Sequence, residues 1–136
     1  DLRMSRGLGD VYKRQELHCS APGKAIMAYL PNTVRDYYLA QMEFTRYNAR
    51  TITTPEAYME ELEKVRRQGY AMDNEEELSG VVCVGTPIFN YTSYPCGAIW
   101  ISGPKDRLSK EVIRQSVEYI KDTAQCISRE LGYSHI

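Results

Sequence analysis

The sequence predicts an α+β fold, with helices layered on an antiparallel sheet. Three observations carry that reading. Residues 53–69, TTPEAYMEELEKVRRQG, hold a helix with start and stop residues in place. Residues 81–89 (VVCVGTPIF) and 96–102 (CGAIWIS) are β-rich runs on either side of the turn-forming NYTSYP. Residues 109–132 then carry apolar positions at helical spacing.

Taken in order, Ser20 offers a capping hydroxyl and Pro22 suits a first helical turn, so KAIMAYL continues a short, mostly apolar helix. Pro31-Asn32-Thr33 breaks it and caps another, VRDYYLAQM, and the polar stretch EFTRYNARTI follows. In the third helix Thr54 is the expected N-cap, Pro55 takes the first position and Gly69 ends it. Tyr58, Leu62 and Val65 share its buried face. Its acids come early and Lys64, Arg66 and Arg67 late, which suits the helix dipole.

GYAMDNEEELSG reads as a short extended piece and an acidic loop. The two β-rich runs form a hairpin. Alternation places Val81 and Cys83 on one face and Val82 and Val84 on the other. In the second run Ala98, Trp100 and Ser102 share a face, opposite Gly97, Ile99 and Ile101. GPKDRL is a loop, and Ser109 caps a long helix ending at Gly132. There Ile113, Val117, Ile120, Ala124, Ile127 and Leu131 make a narrow seam that packs on the sheet, with a helix-to-helix dimer contact as the alternative. Two strands make a poor sheet alone, so further strands are expected in 44–53 and 70–74, or upstream of the chain.

Composition narrows the function. The 136 residues suffice for one domain, and a net charge of -1 gives no general affinity for nucleic acid or an acidic membrane. No apolar run approaches the roughly 20 residues that span a bilayer. Cys19, Cys83, Cys96 and Cys126 are far apart and form no C-x-x-C, as expected of free thiols in a cytoplasmic protein. Residues 1–15 differ: they carry +2 against -3 for the remainder and lack any periodicity. They read as a translated adaptor or assembly scar, with a native disordered tail as the competing reading, and residues 16–136 as the domain.

Chemistry-bearing motifs are weak. His18 and Cys83 as a nucleophile pair lack any motif that joins them. A calcium loop counted from Asp73 puts Leu78 in the glycine slot and Val84 at the twelfth position, so it fails. Gly23-Lys24 lacks the preceding glycine and the following hydroxyl of a phosphate-binding loop. No catalytic residue, metal or cofactor is expected, although ligation by His18, Cys83 and Asp73 is left open.

Four stretches, LHCSAPGKAIMAYLP, TITTPEAYMEELEKVRRQGYAMDNEE, SGVVCVGTPIF and CGAIWISGPKDRLS, in this order and spacing resemble the effector-binding domain of IclR-family bacterial transcriptional regulators. The resemblance runs from about Leu17 to Tyr133. It implies a curved antiparallel sheet with packed helices, akin to GAF and PAS sensor domains, incomplete at its N-terminus. It also implies a winged helix-turn-helix domain upstream, so that DNA is contacted only through that part.

The resemblance further implies a pocket for a small organic acid, lined by Ala21, Pro22, Gly23, Asp73, Val81, Cys83, Trp100 and Ser102. There the helix start at Ala21-Pro22-Gly23 would face the anion. Pro22 removes one amide and Trp100 stands where a small hydroxyl is common, which favours an aromatic acid or a pocket closed by the indole. The expected protein is a non-enzymatic cytoplasmic ligand sensor, a homodimer or homotetramer. The alternatives are a GAF-like thiol enzyme using Cys83 and an oligomerisation module without a ligand.

Overall fold

Helix α1 (Ala21–Tyr29) begins where the sequence predicts, with the Ser20 hydroxyl accepting a hydrogen bond from the Gly23 N–H at 3.1 Å. It opens the computed structural model's described region, residues 17–134; the expectation for residues 1–15 lies outside it. Leu30, held extended before Pro31, ends α1. Helix α2 (Asn32–Gln41) starts earlier than predicted, and no side chain caps it. The Pro31 carbonyl simply accepts the Arg35 N–H at 2.9 Å. None of its residues is fully buried.

Helix α3 (Pro55–Gln68) follows its sequence closely. The Thr54 hydroxyl accepts the Ala57 N–H at 3.2 Å, and Gly69 closes the helix at φ +81°, a left-handed conformation that suits glycine. Tyr58, Leu62 and Val65 are its buried residues, as their spacing predicts.

The sheet has three antiparallel strands in the order β1 (Ala71–Asn74), β2 (Val81–Phe89) and β3 (Pro95–Pro104). The extra strand expected in 70–74 is β1; residues 44–53 hold none. In that stretch side chains satisfy the backbone instead. The Thr51 hydroxyl accepts the Tyr47 and Asn48 N–H groups, each at 3.1 Å, and donates to the Glu76 carbonyl at 2.5 Å. Asn90 shapes the β2–β3 turn, its Oδ1 accepting N–H bonds from Thr92 and Tyr94.

A 3₁₀ turn at Lys105–Arg107 leads to helix α4 (Lys110–Glu130), capped by the Ser109 hydroxyl on the Val112 N–H. The sheet separates two cores. On one face α1 and α3 enclose Ala21, Ala25, Ala28, Tyr58, Leu62, Val65, Ala71 and Cys83. On the other, Val117 and Ile120 of α4 pack on Val84, with Met72, Ile99 and Ile101 around them.

The predicted seam of α4 holds only in part. Val117, Ile120 and Ala124 are buried, but Ile127 and Leu131 are exposed and Ser128 is buried instead. A straight helix drifts about 20° per heptad against a 3.5-residue repeat, so the buried line passes to Ser128. Its hydroxyl there accepts the Phe89 N–H at 3.0 Å.

Candidate functional site

The strand register brings the sequence-predicted residues of the sheet onto one face. Asp73 pairs with Cys83, and Cys83 with Ser102, so the three stand in one row across β1, β2 and β3. Val81, opposite Pro104, and Trp100, opposite Gly85, flank that row on the same face. The start of α1 rests there too. A Cβ added to Gly85 would lie 3.3 Å from Ala21 C, from Pro22 N and from Trp100 Cβ. The Ala21–Pro22 peptide therefore sits almost directly on the Gly85 backbone.

Gly23 is placed differently. Its Cα faces Leu17 and the Ser20 hydroxyl, 2.6 Å from where a Cβ would stand, and its N–H is held by Ser20. The Lys24 N–H donates to the Ser20 carbonyl at 3.0 Å, and Pro22 has no N–H. Three of the first four α1 positions thus offer a ligand no amide, and only the Ala21 N–H lies outside these bonds. The helix start expected to face an anion is largely occupied by its own cap.

Asp73 and Cys83 are both buried, whereas Ser102 and Trp100 are exposed, Trp100 by 48%. Among the described residues the indole is therefore about half open to solvent. The Asp73 Oδ1 accepts the Glu76 N–H at 2.8 Å, so this carboxylate also closes the turn after β1. Burial pushes the Cys83 thiol up to about 12; the Asp73 charge adds to the rise and a hydrogen bond with Ser102 opposes it.

Such a thiol stays protonated and is a poor nucleophile at neutral pH. Iodoacetamide applied to the native protein should modify the exposed Cys96 and Cys126 first. Cys19 and Cys83 should lag until denaturant is added. Mass spectrometry of the peptides checks this order, and early labelling of Cys83 would contradict its placement. His18 is buried with its Nε2 2.9 Å from the Thr45 carbonyl, against the rings of Phe44 and Tyr47. Among the described residues no three His, Cys, Asp or Glu side chains come together to hold a metal.

Two features of this region escape a reading of the sequence. One is Gly85. The other is Lys24, fully buried, whose Nζ donates to both Glu76 carboxylate oxygens (2.7 and 2.9 Å), to the Met72 carbonyl (2.9 Å) and to Glu61 (3.3 Å). Burial raises the Glu76 carboxyl above its usual range, and the Lys24 charge works against that rise. A lone lysine inside APGKAIMAYL is the available signal: a charge in an apolar helix needs a partner. Among the described residues, one cavity lies behind α4 and one beside the Lys24 cluster. The first, of about 460 Å³, is bounded by Gly69, Thr86, Phe89 and Lys121, and the second, of about 370 Å³, by Arg50, Glu61, Met72 and Glu76.

Residues 2–129 match the family model described as bacterial transcriptional regulator IclR C-terminal. The chain belongs to the IclR C-terminal family. The HTH-type transcriptional regulator KdgR of Escherichia coli is 34% identical over 98% of this chain and 49% of its own length. The crystal structure of Thermotoga maritima IclR shares 41% identity at a TM-score of 0.83, covering 87% of this chain and 48% of that one. The solved C-terminal domain of Escherichia coli KdgR gives 34% identity and a TM-score of 0.83, over 88% of this chain and 73% of that one.

The chain thus spans about half the length of the regulators it matches, and the α+β fold predicted from its sequence is that of IclR C-terminal domains. Relatives of this domain are transcriptional regulators. Among the described residues no helix is long and apolar enough to cross a membrane.

Proposed function

We propose that this chain is the effector-sensing part of a cytoplasmic IclR-family regulator, and that a small organic acid binds on the face carrying Cys83, Trp100 and Ser102. One observation supports this most. Residues from α1 (Ala21, Pro22), β1 (Asp73), β2 (Val81, Cys83) and β3 (Trp100, Ser102) meet on one side of the sheet. A site built from separate elements gives a ligand leverage over their arrangement.

The polarity of this face orients the ligand. Asp73 disfavours a carboxylate beside it and Cys83 is neutral, whereas the Ser102 hydroxyl is exposed. The acid group points to Ser102 and the Ala21 N–H, and an aromatic or apolar body lies on Trp100. Gly23 contributes by allowing the tight cap at Ser20 rather than by touching the ligand. Among the described residues β3 is an edge strand, and a further strand pairing there closes the site over Trp100.

The protein performs no chemistry of its own. The ligand prefers one arrangement of a homodimer or homotetramer, and that preference changes the DNA affinity of a winged helix-turn-helix domain upstream. The protonated state of Cys83 supports this over a thiol enzyme.

Trp100 is the sole tryptophan, so its emission reports on the site. Titration with benzoate, 3-hydroxybenzoate and pyruvate is expected to change that emission saturably for at least one of them. Ser102→Ala should weaken that binding by roughly tenfold, the value of one charge-assisted hydrogen bond. A flat response to all three acids, or an affinity untouched by Ser102→Ala, would overturn the assignment.

A further inference from the structure

We infer that Gly85 is the residue that sets the clearance of this site, and with it the size of acid the site accepts. The inference rests on the reading above and deepens it. Gly85 lies at the centre of the row Ala71–Gly85–Trp100, next to the row Asp73–Cys83–Ser102. Its missing side chain leaves room for one thing, the Ala21–Pro22 peptide at the start of α1. The atoms a Cβ would press on are backbone atoms of that peptide and the Cβ of Trp100, all at 3.3 Å. None is the far end of a flexible side chain, so none can swing aside.

The contact is built for closeness from both sides. Pro22 brings a nitrogen without a hydrogen, so the buried peptide has no donor left unpaired where it meets the strand. Gly85 brings a backbone without a side chain, the usual device for a close backbone approach. Its place inside a strand gives it no turn to make and no positive φ to relieve. Behind the contact, Lys24 ties α1 to the Glu76 turn, whose N–H is held by Asp73. The helix start is therefore clamped at one end and seated on Gly85 at the other. Its height above Trp100 and Ser102 follows from the one hydrogen atom that Gly85 presents.

A methyl group at this position has to lift the α1 start by a few tenths of an ångström or displace Trp100. Either movement opens the gap in which the body of the acid lies, so a larger ligand gains relative to a smaller one. Gly97, in the neighbouring strand β3 and with nothing within 4 Å of an added Cβ, supplies the control.

The test compares the chain with Gly85→Ala and Gly97→Ala. Acrylamide quenching of Trp100 is measured without ligand, and the affinities for benzoate and pyruvate are measured by calorimetry. Gly85→Ala is expected to change the quenching of Trp100 and to shift the benzoate-to-pyruvate affinity ratio by about tenfold towards benzoate. Gly97→Ala should do neither. Unchanged quenching in Gly85→Ala overturns the inference, as does an unchanged ratio.

Failure of Gly85→Ala to unfold cooperatively also overturns it, because the close seat is then needed for folding and not for selectivity. A wild-type chain that binds neither acid while Gly85→Ala alters quenching refutes the ligand site itself, and separates that failure from the geometry of the seat.

Discussion

Lys24→Met is expected to cost about 3–5 kcal/mol of folding stability, the usual consequence of removing one partner of a buried ion pair. Nothing replaces what the ammonium does. It is fully buried, holds both oxygens of Glu76, and also satisfies the Met72 carbonyl and Glu61. Without it Glu76 faces Asp73 and, among the described residues, keeps the Asn74 N–H as a donor. The loss is a large part of the stability of a domain of this size.

The variant should also show an altered pH dependence. Glu76 has a raised folded-state affinity for its proton relative to an ordinary carboxyl at 4.5, and loss of Lys24 raises it further. Between the two values the native state binds more protons than the unfolded state, so stability falls as pH rises through that window. Lys24→Met should therefore recover part of its loss as the pH is lowered towards 4.5. The double change Lys24→Met with Glu76→Gln should restore much of the stability at pH 7, because no charge is then buried alone. Urea unfolding of the parent chain, Lys24→Met and the double variant at pH 7 and pH 5 measures this; a Lys24→Met loss under about 1 kcal/mol would show that the pair is not buried as described.

The second large effect is expected at Tyr58. It is fully buried, its ring meets Phe44 edge-on at 5.8 Å, and its hydroxyl donates to the Leu17 carbonyl. Tyr58→Ala should cost about 3–5 kcal/mol through the cavity it leaves. Tyr58→Phe keeps the ring but strands the Leu17 carbonyl, for a loss of about 1–3 kcal/mol.

Tyr58 also predicts behaviour in base. Burial raises its hydroxyl well above the ordinary 10.0, and Cys83 moves from 9.0 to about 12. Both groups keep their protons in the folded state after the unfolded chain has lost them. The unfolded state then binds fewer protons, so stability falls as pH rises from about 9 towards 12. Tyr58→Phe should flatten that decline in denaturant titrations at stepped pH. An equal slope in both chains would place the tyrosine outside the core.

Much of the architecture is legible locally. Ser20, Thr54 and Ser109 cap helices as their positions predict, because a capping hydroxyl acts within three residues of itself. The faces of β2 and β3 follow from alternation, which is why Asp73, Cys83 and Ser102 could be expected to share a side once the register aligned them. Residues 44–53 are where local reading falls short. Their backbone is satisfied by the Thr51 hydroxyl, which accepts the Tyr47 and Asn48 N–H groups, and by the Asn48 Oδ1, which accepts the Arg50 N–H, so a stretch open to pairing as a strand is drawn into a loop. The seam of α4 fails at Ile127 for a geometric reason, the drift of the helix across its own repeat.

By itself the sequence determined the caps of α1, α3 and α4, the glycine that ends α3, the alternating faces and, through four spaced motifs, the family. These depend on neighbours a few residues apart or on patterns kept along the chain. The tertiary structure alone decided that Lys24 is sealed against Glu76, 52 residues away, and that Gly85 bears the start of α1. Burial and close backbone contact arise only when distant segments exclude water from one another, and no local pattern of side chains encodes which segments meet.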